Sequence, residues 1–206
     1  MRCYVACYDV GHLCKHGGNL PNRGGAAQTE GMKTLLAALV LTAPAMLAGT
    51  PMICHAIEIG GARSLPWVEG SRDWNSPRSD YDTKKLRADT LELLVPDTPV
   101  AVRMETLRRA AIYGKKDKAA GWELLAVLLA RAVGEPRNAL AWFDAGYFTE
   151  TLRQGRDSFG FEPGAEFAGE AWVRKARDLG LKGPDVERAL ALIVAGRPKA
   201  LRTSAQ

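Results

Sequence analysis

Two adjoining stretches decide the fold: Thr98-Pro99-Val-Ala-Val-Arg-Met-Glu-Thr-Leu-Arg-Arg-Ala-Ala-Ile-Tyr-Gly114 and, directly after it, Lys115-Lys-Asp117-Lys-Ala-Ala-Gly-Trp-Glu-Leu-Leu-Ala-Val-Leu-Leu-Ala-Arg-Ala-Val-Gly134. In the first, Val100, Met104, Leu107, Ala111 and Ile112 recur on one face of a helix. Thr98 is placed to cap it, and Pro99 suits a first turn. In the second, Asp117 is the expected cap. Trp122, Leu124, Leu125, Val127, Leu128, Leu129, Ala132 and Val133 make that helix apolar nearly all round. Such a helix is expected at the centre of a fold.

Outward from this pair the helical period continues. Thr83 to Val95 carries Leu86, Leu91, Leu93, Leu94 and Val95, and Pro96 stops it. Downstream, Pro136 opens a helix reaching at least Leu152. After a glycine-rich break from Gly155 to Gly164, Ala165–Leu179 and Pro184–Ala195 supply two more. No alternating segment exceeds about four residues, so strands are not expected. The class read from these segments is all-α, an array of about six antiparallel helices over residues 83–197. Residues 198–206 read as a disordered tail.

Residues 57–82 are punctuated by Gly, Ser and Pro, which argues against helix or strand. Trp67, Trp74 and Tyr81 recur in this arm at sevenfold spacing, and the expectation is that they pin it onto the helices. All four cysteines (Cys3, Cys7, Cys14, Cys54) and all three histidines (His12, His16, His55) precede it. From Ile57 onward the chain therefore has no thiol nucleophile, disulfide, Cys/His zinc site or Ser-His-Asp triad.

Met32-Lys33 followed by the apolar run Thr34–Ala48 has the form of a secretory signal peptide spanning 32–56. Cys54-His55-Ala56 offers a cleavage site before Ile57. The alternative is an uncleaved anchor over 34–57, which holds no Asp, Glu, Lys or Arg. The address expected is the periplasm or the exterior. A signal that starts at Met32 makes residues 1–31 an extension read from too early a start. Cys3, Cys7, His12, Cys14 and His16 are metal ligands by type, but their spacing matches no zinc module.

Residues 1–56 hold four basic and two acidic side chains, leaving 24 and 21 in the remainder, a net +3 out of the chain's +5. A charge so small, with no recognition motif, does not point to nucleic acid. Locally the balance differs. Arg103, Arg108, Arg109, Lys115, Lys116 and Lys118 face only Glu105 and Asp117. That region suits an acidic partner protein, an acidic polymer or anionic lipid. For chemistry, only carboxylates stand out. Glu123, in the most apolar helix, and Asp144, between Phe143 and Ala145, are the candidates for a glycan hydrolase working with paired carboxylates. No partner carboxylate follows from spacing, so no catalytic residue is assigned, and no metal or cofactor is expected.

Trp142-Phe-Asp-Ala145-Gly146-Tyr-Phe-Thr149 resembles the first helix of a tetratricopeptide repeat. Trp172-Val173-Arg-Lys-Ala176-Arg-Asp-Leu179 resembles its second, with Pro184 near the place of the family's helix breaker. The likeness spans about residues 136–195. Thr149 stands where the family has Tyr, and the two halves lie about ten residues too far apart for a 34-residue repeat. A glycine at 146 lets a partner helix approach closely. The resemblance implies a TPR-like or irregular helical repeat with a protein–protein interaction role. The expected function is an exported helical scaffold that binds another protein, with contacts at Arg108, Arg109, Lys115, Lys116, Trp142 and Tyr147. The alternative is the envelope glycan hydrolase.

Overall fold

The computed structural model describes residues 50–68, 70–71, 73–155, 163–164 and 167–196. Among these the fold is all-α, with six α-helices: α1 (Leu86–Leu93), α2 (Val100–Lys116), α3 (Lys118–Gly134), α4 (Ala139–Gln154), α5 (Gly169–Asp178) and α6 (Pro184–Ala195). Short 3-10 turns at Met52–Cys54 and Thr83–Lys85 precede them. The only strand-like pairing among the described residues is an isolated bridge between Trp67 and Pro77 in the arm. The segments read as residues 1–31, the apolar run to Ala48 and the tail 198–206 lie outside the described residues. So does the cysteine–histidine set preceding Cys54.

Helix ends follow local chemistry, with two differences from the expectation. Asp117 does cap α3, accepting the Ala120 N–H at 3.1 Å. Thr98 does not cap α2. Its hydroxyl donates instead to the Leu93 carbonyl (2.8 Å), closing the α1–α2 corner, and Pro99 sits just outside the helix. Pro136 does not open α4 either. Asn138 caps it, while the Pro136 carbonyl accepts the Trp142 indole N–H at 3.0 Å. The end of α5 is a glycine turn. Gly180 has φ +105°, and the Leu181 N–H reaches back to the Ala176 carbonyl, a closure an L side chain resists.

The centre of the fold is α4, not α3. It packs against α2, α3, α5, α6 and the Met52–Cys54 turn, and residues Ala141–Leu152 are all buried. α2 is its equal in burial from Val102 to Gly114, apart from the half-buried Arg109. α3 buries only Ala120, Gly121, Leu124, Leu125, Leu128 and Ala132. Its remaining face, apolar though it is, stands at the surface. Apolar character all round is therefore not sufficient to centre a helix. Small side chains such as Ala119, Ala126 and Ala130 lose little by exposure.

The tightest crossing is α4 on α5 at Gly146. A Cβ there would come within 2.5 Å of the Gly169 carbonyl oxygen and 2.9 Å of the Val173 nitrogen. The connection between these helices is held by Arg153, which pairs with Glu150 and donates to the Gly164 and Phe167 carbonyls. The segment just before the arm belongs to the same core. Met52 and Ile53 are fully buried, and the Met52 N–H donates to Gln154 Oε1 at 2.9 Å. The Gln154 amide then donates to the Ile193 carbonyl, tying the turn to the end of α6.

Candidate functional site

Three places on the molecule gather chemistry. The first is a lock between α2 and the arm. Glu105, nearly inaccessible, accepts four hydrogen bonds: from Arg108 Nε (2.7 Å) and Arg108 Nη2 (2.7 Å), from Arg109 Nε (2.8 Å), and from the Ile57 N–H (3.0 Å). Burial pushes its carboxyl up, but the Arg108 contacts, the Ile57 N–H and Arg109 outweigh that and hold it below the usual carboxylate range. Both arginines also donate to main-chain carbonyls. Arg108 donates to the Ile53 and Trp74 carbonyls and Arg109 to the Leu65 carbonyl. Both guanidinium groups lie over the Trp67 ring, at 5.3 and 5.2 Å from its centroid. Tyr113 completes the lock. Its hydroxyl donates to the Pro66 carbonyl (2.5 Å) and accepts the Arg78 N–H (3.1 Å), and its ring meets Tyr81 at 4.3 Å.

Beside this lock is an open cleft of about 680 Å³ between the arm and α2, lined by the Gly60–Leu65 backbone, Trp67, Glu105, Arg108 and Arg109. Arg108 is fully buried and its donors are committed to holding the arm, so it presents no contact surface. Arg109, at 17% exposure, edges the cleft while bound to Glu105.

The second place is a basic corner. The Asp117 carboxylate that caps α3 also accepts the Thr83 hydroxyl at 2.9 Å. These hydrogen bonds, first from Ala120 and then from Thr83, lower its pKa. That one contact draws the 3-10 turn carrying Lys84 and Lys85 to the end of α2 and the start of α3, where Lys115, Lys116 and Lys118 project. All five lysines are exposed. Two acids belong to the same corner, Asp82 capping the turn and Asp117 capping the helix. Lys115 and Lys116 were legible as a basic run. The contribution of Lys84 and Lys85 was not, because it depends on a contact spanning 34 positions. A hint lies in Asp82-Thr83, a capping pair immediately ahead of two lysines.

The third place is the ring cluster at the α4–α5 crossing. Trp142 and Trp172 lie 6.2 Å apart, Phe167 meets Trp172 edge-on, and the Lys175 ammonium sits 3.5 Å from the Trp142 centroid. Trp142 is 8% exposed and mostly covered by these neighbours. Tyr147 is wholly buried, stacked on Phe143 at 5.7 Å, and burial raises its phenol pKa. It faces the core.

Neither of the two carboxylates read as possible catalysts lines the cleft. Glu123 is exposed on α3. Asp144 is sealed inside, with Oδ2 on Arg103 Nη1 at 2.7 Å and Oδ1 without a hydrogen-bond partner. Burial raises its pKa to about 6 against the opposing pull of Arg103 and Arg131. Arg103 in turn donates to the Thr98 and Val95 carbonyls, so the pair ties the α1–α2 corner to α4. No group of three or more Asp, Glu, His or Cys among the described residues is arranged to hold a metal. No helix among them is long and apolar enough to cross a membrane. Comparison with protein-family models, with curated proteins and with solved structures returned no match.

Proposed function

We propose that this protein is an exported helical scaffold that binds an acidic face of a partner protein through the corner formed by Lys84, Lys85, Lys115, Lys116 and Lys118. The observation that carries this reading is the Thr83–Asp117 hydrogen bond, which adds the lysines of one segment to those of another. Five exposed ammonium groups at one corner steer and hold an acidic surface. The expected contacts at Lys115 and Lys116 keep their place in this reading. Arg108 and Tyr147 drop out as contact residues, because both are inside the domain. The resemblance of the α4–α5 segment to a tetratricopeptide helix pair favours the same kind of role. Nothing in the placement of Glu123 or Asp144 favours the hydrolase.

Export rests on the Met32–Ala48 pattern. Met52 and Ile53 are core side chains, each worth about 1.5–3 kcal/mol on burial. A mature chain that starts upstream of Met52 keeps both, and intact-mass analysis of the envelope fraction reads the start directly. The binding test compares mild crosslinking of the parent and of a K84E/K85E/K115E/K116E variant in that fraction. The reading expects one protein to be recovered with the parent, to be lost with the variant, and to be lost at high salt. Equal recovery with both chains refutes it. Flotation of the parent with anionic vesicles, abolished in the variant, assigns the corner to lipid instead.

A further inference from the structure

The cleft between the arm and α2 holds more positive charge than its own carboxylates neutralise. Arg108 and Arg109 share the single carboxylate of Glu105, with side chains only 1% and 17% exposed. The other charged groups lining the cleft among the described residues do not correct this. Arg63 pairs with Glu92 and Arg78 with Asp80, while Glu58 and Asp73 are exposed to water. Two cations on one carboxylate leave one positive charge over, in a place where charge is costly without a counter-ion.

The surplus has a definite address. Arg108 is saturated, with Nε and Nη2 on Glu105 and Nη1 on two carbonyls. Arg109 is not. Its Nε is held by Glu105 and its Nη1 by the Leu65 carbonyl, both at 2.8 Å, while Nη2 donates to nothing among the described residues. Those two contacts and the Trp67 ring at 5.2 Å fix the guanidinium plane, so the free donor is pre-organised.

The arm supplies bare main chain to the same cleft. The Ala62 N–H closes a turn on the Ile59 carbonyl at 3.1 Å, with Gly60 at φ +56°. A Cβ on Gly60 or Gly61 would meet nothing within 4 Å, so the space over this backbone is open. Glycine at such a place lets main chain approach a ligand closely.

We propose that the cleft binds a small organic carboxylate, held by Arg109 Nη2 with the Gly60–Gly61 turn beside it. One surplus cation with one free guanidinium nitrogen suits a singly charged carboxylate, whereas a phosphate monoester brings nearly two charges. The volume, about 680 Å³, is that of a small-molecule site. None of the five lysines of the basic corner lines it, so the two readings stand or fall separately.

The test titrates the full chain with benzoate, N-acetylglycine and glucuronate, each beside its uncharged amide, and with inorganic phosphate. Binding is read by tryptophan fluorescence and by the Arg109 Nε–H resonance in NMR. At least one carboxylate is expected to bind saturably and to shift that resonance, with its amide about tenfold weaker or worse. R109K keeps the charge but loses the fork, and is expected to lose about tenfold in affinity or more. R63A removes a lining arginine whose own pair is exposed, and is expected to bind within about twofold of the parent. No binding by any carboxylate at up to about 10 mM overturns the proposal. So does an amide that binds equally, a phosphate that binds more tightly, or R63A weakened as much as R109K. A saturable signal that leaves the Arg109 resonance unmoved also overturns it, and this is readable in the parent even if R109K fails to fold.

Discussion

Replacing Glu105 by Gln tests how the arm is held. The substitution keeps the size and shape of the side chain and removes only its charge and one acceptor. Each carboxylate oxygen now serves two donors: Oε1 takes Arg108 Nη2 and Arg109 Nε, and Oε2 takes Arg108 Nε and the Ile57 N–H. Whichever oxygen becomes an amide nitrogen, a donor faces two donors. Arg108, 1% exposed, is then left as a buried cation without a counter-charge. Breaking a buried pair from one side costs about 3–5 kcal/mol. At about 2–4 °C per kcal/mol for a domain of this size, the melting temperature is expected to fall by roughly 6–20 °C. The measurement is urea and thermal unfolding followed by circular dichroism and tryptophan fluorescence, the latter reporting Trp67 under the two arginines. The control is R63A, whose pair with Glu92 is exposed at both ends (82% and 68%) and is expected to matter little. The pH dependence has a definite sign. The folded pKa of Glu105 lies below the ordinary 4.5, so its contribution is present above that value and is lost as pH falls through the depressed one. A loss below about 1 kcal/mol in E105Q refutes the claim that this cluster locks the arm.

Two further outcomes follow from the geometry. G146A gains about 0.5–1 kcal/mol of helix propensity but forces a methyl group against the Gly169 oxygen and the Val173 nitrogen, backbone atoms that cannot swing aside. With overpacking at about 1–3 kcal/mol, the expected net is a destabilisation of about 1–2 kcal/mol, read by urea unfolding. Asp144 is isolated by comparing the parent with D144N at pH 7 and pH 5, because His55, whose pKa burial lowers, acts with the opposite sign in the same window. The folded pKa of Asp144 is raised to about 6 from 3.8, so the cost of its ionised form is present above about 6 and is relieved on acidification. The parent is expected to gain on the order of 1 kcal/mol relative to D144N over those two units. An unchanged difference refutes the raised pKa.

The cluster around Glu105 was not legible in the sequence, though its parts were. Arg108 and Arg109 read as a basic surface, because a run of charges on a helix is ordinarily solvated. What hid their role is that the acceptors are backbone carbonyls of Ile53, Leu65 and Trp74, and a carbonyl is present at every residue and so marks nothing. The three arm aromatics were legible as anchors, since Trp and Tyr on a Gly- and Pro-rich segment have little else to do. The Gly146 contact was also legible, because a glycine within an apolar helix needs a reason.

What the sequence determined by itself is local. The position of every described helix, the Asp117 cap, the unstructured course of the arm and the close approach at Gly146 all follow from period, capping and steric size, which act over a few residues. Only the tertiary structure decided which helix is central, that the Thr83 hydroxyl joins Asp117, and that Met52 and Ile53 belong to the core. These turn on contacts between distant segments, where burial is shared among competitors. α4 has aromatic bulk to bury on all sides and takes the centre. α3, with alanines along one face, gives up least by leaving that face outside.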